Sequence, residues 1–245
     1  MLTLAVNCTE NYLVHLDSLL WSVVVSEGKP FKVYLLHDGI EPGVLHLFET
    51  KWERFQVVVI EVDVSSSIGD FQPNSNFPPI CFGRLLIPRL LAHEQRVLYL
   101  DIDIIVLKPL LPLYQVDLAG FPIAGVLDSG TGRGISRIKN VLSPKVINAG
   151  VILMDLTNDL CREKFDTAVQ IGSSQYLKYA DQDSINRAFR GGIMVIDDQW
   201  NWQKLAYRSD ASVIHFAHGN PWVEGCKNEN LRFYEKTNAG LNGKI

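Results

Sequence analysis

The stretch Arg96–Pro109, RVLYLDIDIIVLKP, holds two carboxylates, Asp101 and Asp103, inside an otherwise apolar run. Val97–Leu100 precede them and Ile104–Leu107 follow, a pattern that reads as a strand covered on both faces. On a regular strand, residues i and i+2 point to the same side. Two anions side by side at a buried strand end repel each other, and desolvation adds to the cost. A cation between them resolves the conflict, and a divalent metal with oxygen ligands is the chemistry this spacing asks for. The alternative, with one Asp capping a turn and the other solvated, sits poorly with such apolar flanks.

Other polar residues stand at the ends of apolar segments. Val146–Met154 reads as a strand carrying Asn148 and Gly150, and a glycine inside a strand marks close approach by a ligand or another backbone. Asp181-Gln182-Asp183 opens a helical stretch, where Asp181 could act as an N-cap. His215 lies in a short strand, Val213–Phe216, and a lone histidine there is more often structural than a ligand. Arg84 and Arg89 belong to Phe82–Ala92, a helical stretch that Pro88 should start or kink.

The elements that must position these groups alternate. Leu2–Val6, Phe31–Leu36 and Phe55–Val62 read as strands, with helices over Tyr12–Val25 and Pro42–Trp52 between them. Such a β-α-β-α-β order predicts a mostly parallel sheet with helices on both faces, whose ligands bind beyond the carboxyl ends of the strands. The Asn7–Asn11 loop and the aspartate pair would then share one rim. Further strands are expected over Ile123–Leu127, leading to Asp128, and Met194–Asp198, with a helix around Cys161–Gln170. Ser65–Pro79 reads as a loop, Leu110–Gly120 as irregular, and Ser129–Ser143 as a surface loop or lid.

The 245 residues, 47% hydrophobic and 20% charged, are ordinary globular values and allow one large α/β domain. A net charge of −4 with no run of basic residues argues against a nucleic-acid partner. The first residues lack a basic, cleavable leader, and no apolar stretch is long enough to span a bilayer. Four widely spaced cysteines read as reduced thiols of a cytoplasmic protein. P-loop and nucleophile-elbow motifs are absent, and Gly130-Thr131-Gly132-Arg133-Gly134 lacks dinucleotide spacing.

Two enzymatic readings of the aspartate strand remain. One is a haloacid-dehalogenase-type phosphatase, with Asp101 as nucleophile, Asp103 as acid/base and Asp197-Asp198 as a second acidic motif. It leaves Asp181-Gln182-Asp183 and His215 without a role. The other is a glycosyltransferase whose paired aspartates hold a divalent ion against the diphosphate of a sugar nucleotide. A third possibility is a module that binds a UDP-sugar without turning it over.

Asn11-Tyr12, FGRLLIPRLL at 82–91, VLYLDIDIIV at 97–106, Asp128, INAGVILMDL at 147–156, ADQDSINRAF at 180–189 and the VIHF…PW segment follow in one order along the chain. In these motifs the sequence resembles the family 8 retaining glycosyltransferases, the group of glycogenin and the bacterial lipopolysaccharide galactosyl- and glucosyltransferases. The resemblance implies a single GT-A domain over 1–245, α/β with a Rossmann-like, mostly parallel mixed sheet flanked by helices. Residues 1–106 would form its nucleotide-binding half and 107–245 its donor-sugar and acceptor half. It implies a UDP-glucose or UDP-galactose donor, Mn²⁺ or Mg²⁺ held by Asp101, Asp103 and His215, and an α-linked product on a glycan, glycolipid or protein acceptor.

The same resemblance assigns Asn7, Cys8, Thr9, Asn11 and Tyr12, together with Ala5, to uracil and ribose. Arg84 and Ile102 fall to the donor beside the metal, as do Ala149 and Gly150, and His218 and Gly219 lie near its phosphates. Asp128, Asn148, Asp181 and Gln182 surround the transferred hexose, with Gln182 against the anomeric carbon and Asp183 as the alternative nucleophile. One departure is visible. A lysine usually precedes the Pro-Trp pair and binds phosphate, whereas Asn220 precedes Pro221-Trp222 here, so that either His218 or Lys204 compensates or diphosphate binding is weaker.

Overall fold

The computed structural model of the protein describes residues 1–71, 77–130 and 145–244. Leu2–Cys8 (β1) is buried at every position, as a strand with apolar residues on both faces must be. The helix Leu13–Glu27 (α1) follows and stops at Gly28, whose φ of 60° closes the helix in the left-handed region. Phe31–His37 (β2), Pro42–Glu53 (α2) and Val57–Asp63 (β3) complete the first alternation. The single turn Ser65–Ile68 (α3) lies in the segment expected to be loop.

Phe82–Ala92 is only in part the expected helix: Pro79–Leu86 is 3₁₀, and Ile87–Leu90 (α4) is one α turn with Pro88 in its first positions. Arg96–Leu100 (β4) and Ile104–Val106 (β5) follow, then a turn of helix at Leu111–Tyr114 (α5) and Ile123–Leu127 (β6). Ile147–Asp155 (β7), Asp159–Ser174 (α6), Ala180–Ala188 (α7), Ile193–Val195 (β8), Val213–His215 (β9) and Leu231–Asn242 (α8) complete the described elements.

Seven strands form one sheet in the order β3-β2-β1-β4-β7-β6-β8. Only β7 runs against its neighbours, antiparallel to β4 and to β6, while the remaining pairs are parallel. Alternation along the strands feeds two cores. Leu2, Leu4 and Val6 face α1 and α2, whereas Ala5, Val97 and Tyr99 face the 3₁₀ segment, α6 and α7.

The aspartate run departs from the expected regular strand. Its first half ends in the sheet at Leu100, and its second half leaves as β5 to pair antiparallel with β9, Ile104 opposite His215. A strand continued through Asp101 and Asp103 would carry carboxylates into a fully covered sheet. The turn releases both at the rim beyond the carboxyl end of β4, pinned by Asp101 N donating to Gly150 O and Phe216 N to Asp103 O. Helix α8 was outside the sequence expectations. It lies along α1, where the Ser18 hydroxyl donates to Asn238 and His15 Nδ1 meets Tyr234 Oη at 3.2 Å. No described helix is long and apolar enough to cross a membrane.

Helix α1 is fastened to α2 by one carboxylate. Asp17 accepts from Lys51 Nζ at 2.6 Å and from the indole of fully buried Trp52 at 3.0 Å. Asp17→Ala strands the indole N–H away from water, so it is expected to cost about 2 kcal/mol. Urea unfolding should show a lower midpoint at an unchanged slope, and a midpoint equal to wild type would refute the fastening role.

Candidate active site

Because β7 runs backwards, its beginning lies at the same rim as the carboxyl ends of β1, β4 and β6. Asn148, Ala149 and Gly150 therefore meet Asn7, Cys8 and Thr9 after β1, Asp101 after β4 and Asp128 after β6 around one cleft of 1380 Å³. Asp181 and Gln182 enter from α7, and His215 from the end of β9.

Asp101, Asp103 and His215 each present one ligand atom, all within 4.8 Å of one another. His215 Nε2 lies 3.2 Å from Asp103 Oδ1 and 3.7 Å from Asp101 Oδ2. Burial disfavours the charged imidazole, but the attraction of Asp103 outweighs it and the His215 pKa is raised. Burial likewise pushes the Asp103 carboxyl up, and His215 outweighs it, so that its pKa is lowered. Asp101 Oδ1 is already taken by Arg84 Nη2 at 2.9 Å and the Tyr99 hydroxyl at 2.8 Å. Two carboxylates and an imidazole aimed at one point make a donor set that fits Mn²⁺ or Mg²⁺. Gly150 keeps that point clear: a Cβ there would stand 2.2 Å from His215 Cε1 and 2.7 Å from Asp101 Oδ2.

Arg84 is buried at 5% exposure and fully engaged. Its Nε pairs with Asp181 Oδ2 at 2.9 Å, Nη1 donates to Ala149 O at 2.8 Å, and the guanidinium lies 4.4 Å from the Tyr99 ring centre. Burial pushes the Asp181 carboxyl up to about 6, with the Arg84 charge opposing. Asp181 is thus the partner of Arg84 and not the N-cap of α7. Ala180 before it holds a φ of 42°, a left-handed conformation that costs an alanine about 1 kcal/mol.

On the other side of the cleft, Gln182 Nε2 donates to Asp128 Oδ2 at 3.1 Å, and its Oε1 accepts from Ala149 N at 3.1 Å and Asn148 Nδ2 at 3.3 Å. Asp183 does not line the cleft. Its Oδ2 accepts from Tyr179 N at 3.0 Å and closes the first turn of α7, because one helical step carries it away from the face shared by Asp181 and Gln182.

Most of the other anticipated residues, Tyr12, Ile102 and His218 among them, line the cleft, whereas Ala5, Asn11 and Gly219 do not. Ala5 packs into the core, on the same face of β1 as Asn7 but two residues short of the rim where the cleft opens. His218 Nε2 sits 3.2 Å from the Ser129 hydroxyl, and Lys204 lies over the Trp202 ring at 4.6 Å. Tyr12 meets Trp222 edge-on, and His15 stacks on Trp222 with centroids 3.9 Å apart. Positions 131–143 of the anticipated lid and 72–76 of the anticipated loop lie outside the described residues. Arg89 pairs with Asp166 at the surface.

Two side chains that brace the residues of the cleft escaped the sequence reading. Tyr99 stands two residues before Asp101, so strand periodicity could have placed it beside that carboxylate. Asn201, between Trp200 and Trp202, is 1% exposed and bonds both His215 and Asn148; no local pattern marks it. Asp197 and Asp198, the second acidic motif of the phosphatase reading, lie outside the cleft and are bound with Asp210 by Arg208. That reading therefore loses its second acidic motif.

The family model for glycosyl transferase family 8 matches residues 3–225. The chain belongs to this family. General stress protein A of Bacillus subtilis is 22% identical over 91% of this chain and 88% of its own length. Glycosyltransferase GlyF of Streptococcus pneumoniae is 25% identical over 86% of the chain, which spans 54% of GlyF. Among solved structures, galactosyltransferase LgtC in complex with donor and acceptor sugar analogues superposes with a TM-score of 0.81 at 22% identity, each chain covered in full. The likeness to LgtC shows that the fold is that of a glycosyltransferase.

Two outcomes follow from this geometry. Gly150→Ala should lower the affinity for Mn²⁺ at least about tenfold, read by electron paramagnetic resonance of the free ion, while circular dichroism stays native; unchanged affinity would show that the ion is held elsewhere. Asp181 in turn has a folded pKa of about 6, above the ordinary 3.8. Its contribution to stability is complete below the unfolded value and is lost as pH rises through the folded one. The stability of Asp181→Asn relative to wild type should therefore rise between about pH 4 and about pH 7. A difference independent of pH would mean that folding leaves the Asp181 pKa at its ordinary value.

Proposed function

We propose that the protein transfers a hexose from UDP-glucose or UDP-galactose to an acceptor hydroxyl, with retention of the α configuration. The observation that carries this reading is the convergence of the Asp101–Asp103–His215 group with the Asp128–Gln182–Asn148 group across one cleft in a family 8 chain. Residues 1–106 would hold the nucleotide and 107–245 the sugar and acceptor, as one GT-A unit.

Asn7, Cys8, Thr9 and Tyr12 line the nucleotide end. Asn7 Oδ1 is buried without a hydrogen-bond partner among the described residues, an acceptor ready for a donor group of the base or ribose. Asp101, Asp103 and His215 would hold Mn²⁺ or Mg²⁺, which when bound neutralises the diphosphate and the charge that grows on the leaving UDP. Arg84 keeps Asp101 and Asp181 in place and adds a fixed positive field beside the phosphates. Lys204 and His218 both line the cleft, where one or the other would stand in for the lysine that Asn220 replaces.

As the donor bond breaks, the anomeric carbon gains positive, oxocarbenium-like character. Gln182 lies beside the Asp128 carboxylate, and its own oxygen already accepts two hydrogen bonds. Such an oxygen is a poor covalent nucleophile, and the dipole of the amide serves instead to shield developing charge. Asp183, turned into the helix cap, offers no substitute. This supports front-side attack, in which the acceptor hydroxyl approaches the face that UDP leaves and gives its proton to the departing phosphate. The acceptor would be a glycan, a glycolipid or a protein. The four cysteines are free, which supports work in the reducing cytoplasm.

The test is to incubate the protein with Mn²⁺ and a panel of UDP-sugars and to follow UDP release. One UDP-hexose should be turned over in a metal-dependent manner, and Asp103→Asn should slow that reaction about 100-fold or more. Nuclear magnetic resonance of fresh product should show the α anomer. UDP binding without turnover toward any acceptor would make the protein a binding module, and a β product would refute retention.

A further inference from the structure

The polar side chains between His215 and Asp128 form a chain of hydrogen bonds whose direction is fixed by groups that cannot flip. Gly150 N can only donate, and it donates to Asn148 Oδ1 at 3.0 Å. Ala149 N can only donate, and it donates to Gln182 Oε1 at 3.1 Å. These two backbone amides set the carboxamides of Asn148 and Gln182, and each is seconded by a side chain. Asn148 turns its NH₂ to Gln182 Oε1, and Gln182 turns its NH₂ to Asp128 Oδ2. With Asn148 Oδ1 committed as an acceptor, Asn201 must present its NH₂ to it, at 2.9 Å. Asn201 Oδ1 is then left facing His215 Nδ1, also at 2.9 Å. An oxygen there requires that Nδ1 carry the proton.

We propose that Asn201 is a positioning residue that ties the metal-ligand group to the sugar-facing amide. It fixes the neutral His215 ring as the Nδ1–H tautomer, so that the Nε2 lone pair points between Asp101 and Asp103, and through Asn148 it steadies Gln182 with its NH₂ toward Asp128. The inference rests on the metal-dependent transferase reading for its purpose, but not for its geometry. Asn201 is 1% exposed and Asn148 9%, so water competes little for these bonds. An outer partner of this kind sets which ring nitrogen can ligate and how firmly the ring is aimed.

The first measurement needs neither metal nor donor. ¹⁵N-histidine spectra of the full chain, with the His215 signal assigned by its loss in His215→Gln, should show the Nδ1–H tautomer when the ring is neutral. In Asn201→Ala the Nε2–H form should gain population, and the Mn²⁺ dissociation constant should rise at least about tenfold. Asn201→Asp still accepts from Nδ1–H but cannot donate to Asn148. It should keep the tautomer and the Mn²⁺ affinity while kcat falls about tenfold. A neutral wild-type ring protonated on Nε2, with Nδ1 bare, overturns the proposal. So do an unaltered tautomer and Mn²⁺ affinity in Asn201→Ala, or equal losses in both variants that follow their melting temperatures. A wild-type Nδ1–H ring in a protein that binds no Mn²⁺ would overturn the metal reading while upholding the hydrogen-bond chain.

Discussion

The site depends on a buried arginine placed between two buried or half-buried carboxylates. Without Arg84, Asp101 and Asp181 would face each other across a low-dielectric gap, and each would take up a proton or move apart. With it, Asp101 gives one oxygen to the guanidinium and keeps the other for the cleft. Tyr99 completes the arrangement from below, its ring under the cation and its hydroxyl on the same Asp101 oxygen. Charge is thus distributed so that one cation is permanent, while the free oxygen of Asp101 faces Asp103 and His215 across one point.

The sheet serves this arrangement through one reversed strand. A parallel β7 would bring its carboxyl end to the rim, and Asn148 and Gly150 would lie at the far edge. Running backwards, β7 brings its first residues there instead, so the narrowest position, Gly150, falls opposite His215. The two-stranded β5–β9 ribbon then holds that histidine against the aspartates that precede β5. Rigid main-chain pairing, more than side-chain reach, brings the three donors together.

The first half of the chain is legible because Leu2–Val6 and Phe31–Leu36 are near-continuous apolar runs closed by Asn, Asp and Gly. The aspartate pair is legible for the same reason, as charge where apolar flanks leave little room for it. The break after Leu100 is not, since Ile104–Leu107 is as apolar as Val97–Leu100 and composition does not announce that a run changes sheets. Helix α8 escapes because Asn238, Gly240 and Asn242 are weak helix formers, and packing on α1 supplies what propensity lacks. Asp183 misleads because both aspartates of the Asp181-Gln182-Asp183 triplet look equally poised for chemistry, and only the helical step separates a partner of Arg84 from a cap. Asn201 is invisible because its partners come from distant strands.

The assembly of the cleft from separated segments also orders events in time. Asp101 and Asp103 leave the ribosome long before His215, and the α1 surface that receives α8 is made earlier still. Until Val213–His215 arrives to pair with Ile104–Val106, the newborn chain carries an acidic loop without its imidazole, and until α8 follows, an α1 face without its cover. Contacts so distant in sequence close slowly. The nascent protein therefore passes through an interval in which its first strands and helices can be folded while the cleft is still incomplete, and in which the bare face of α1 is a target for chaperones or for another copy of the chain.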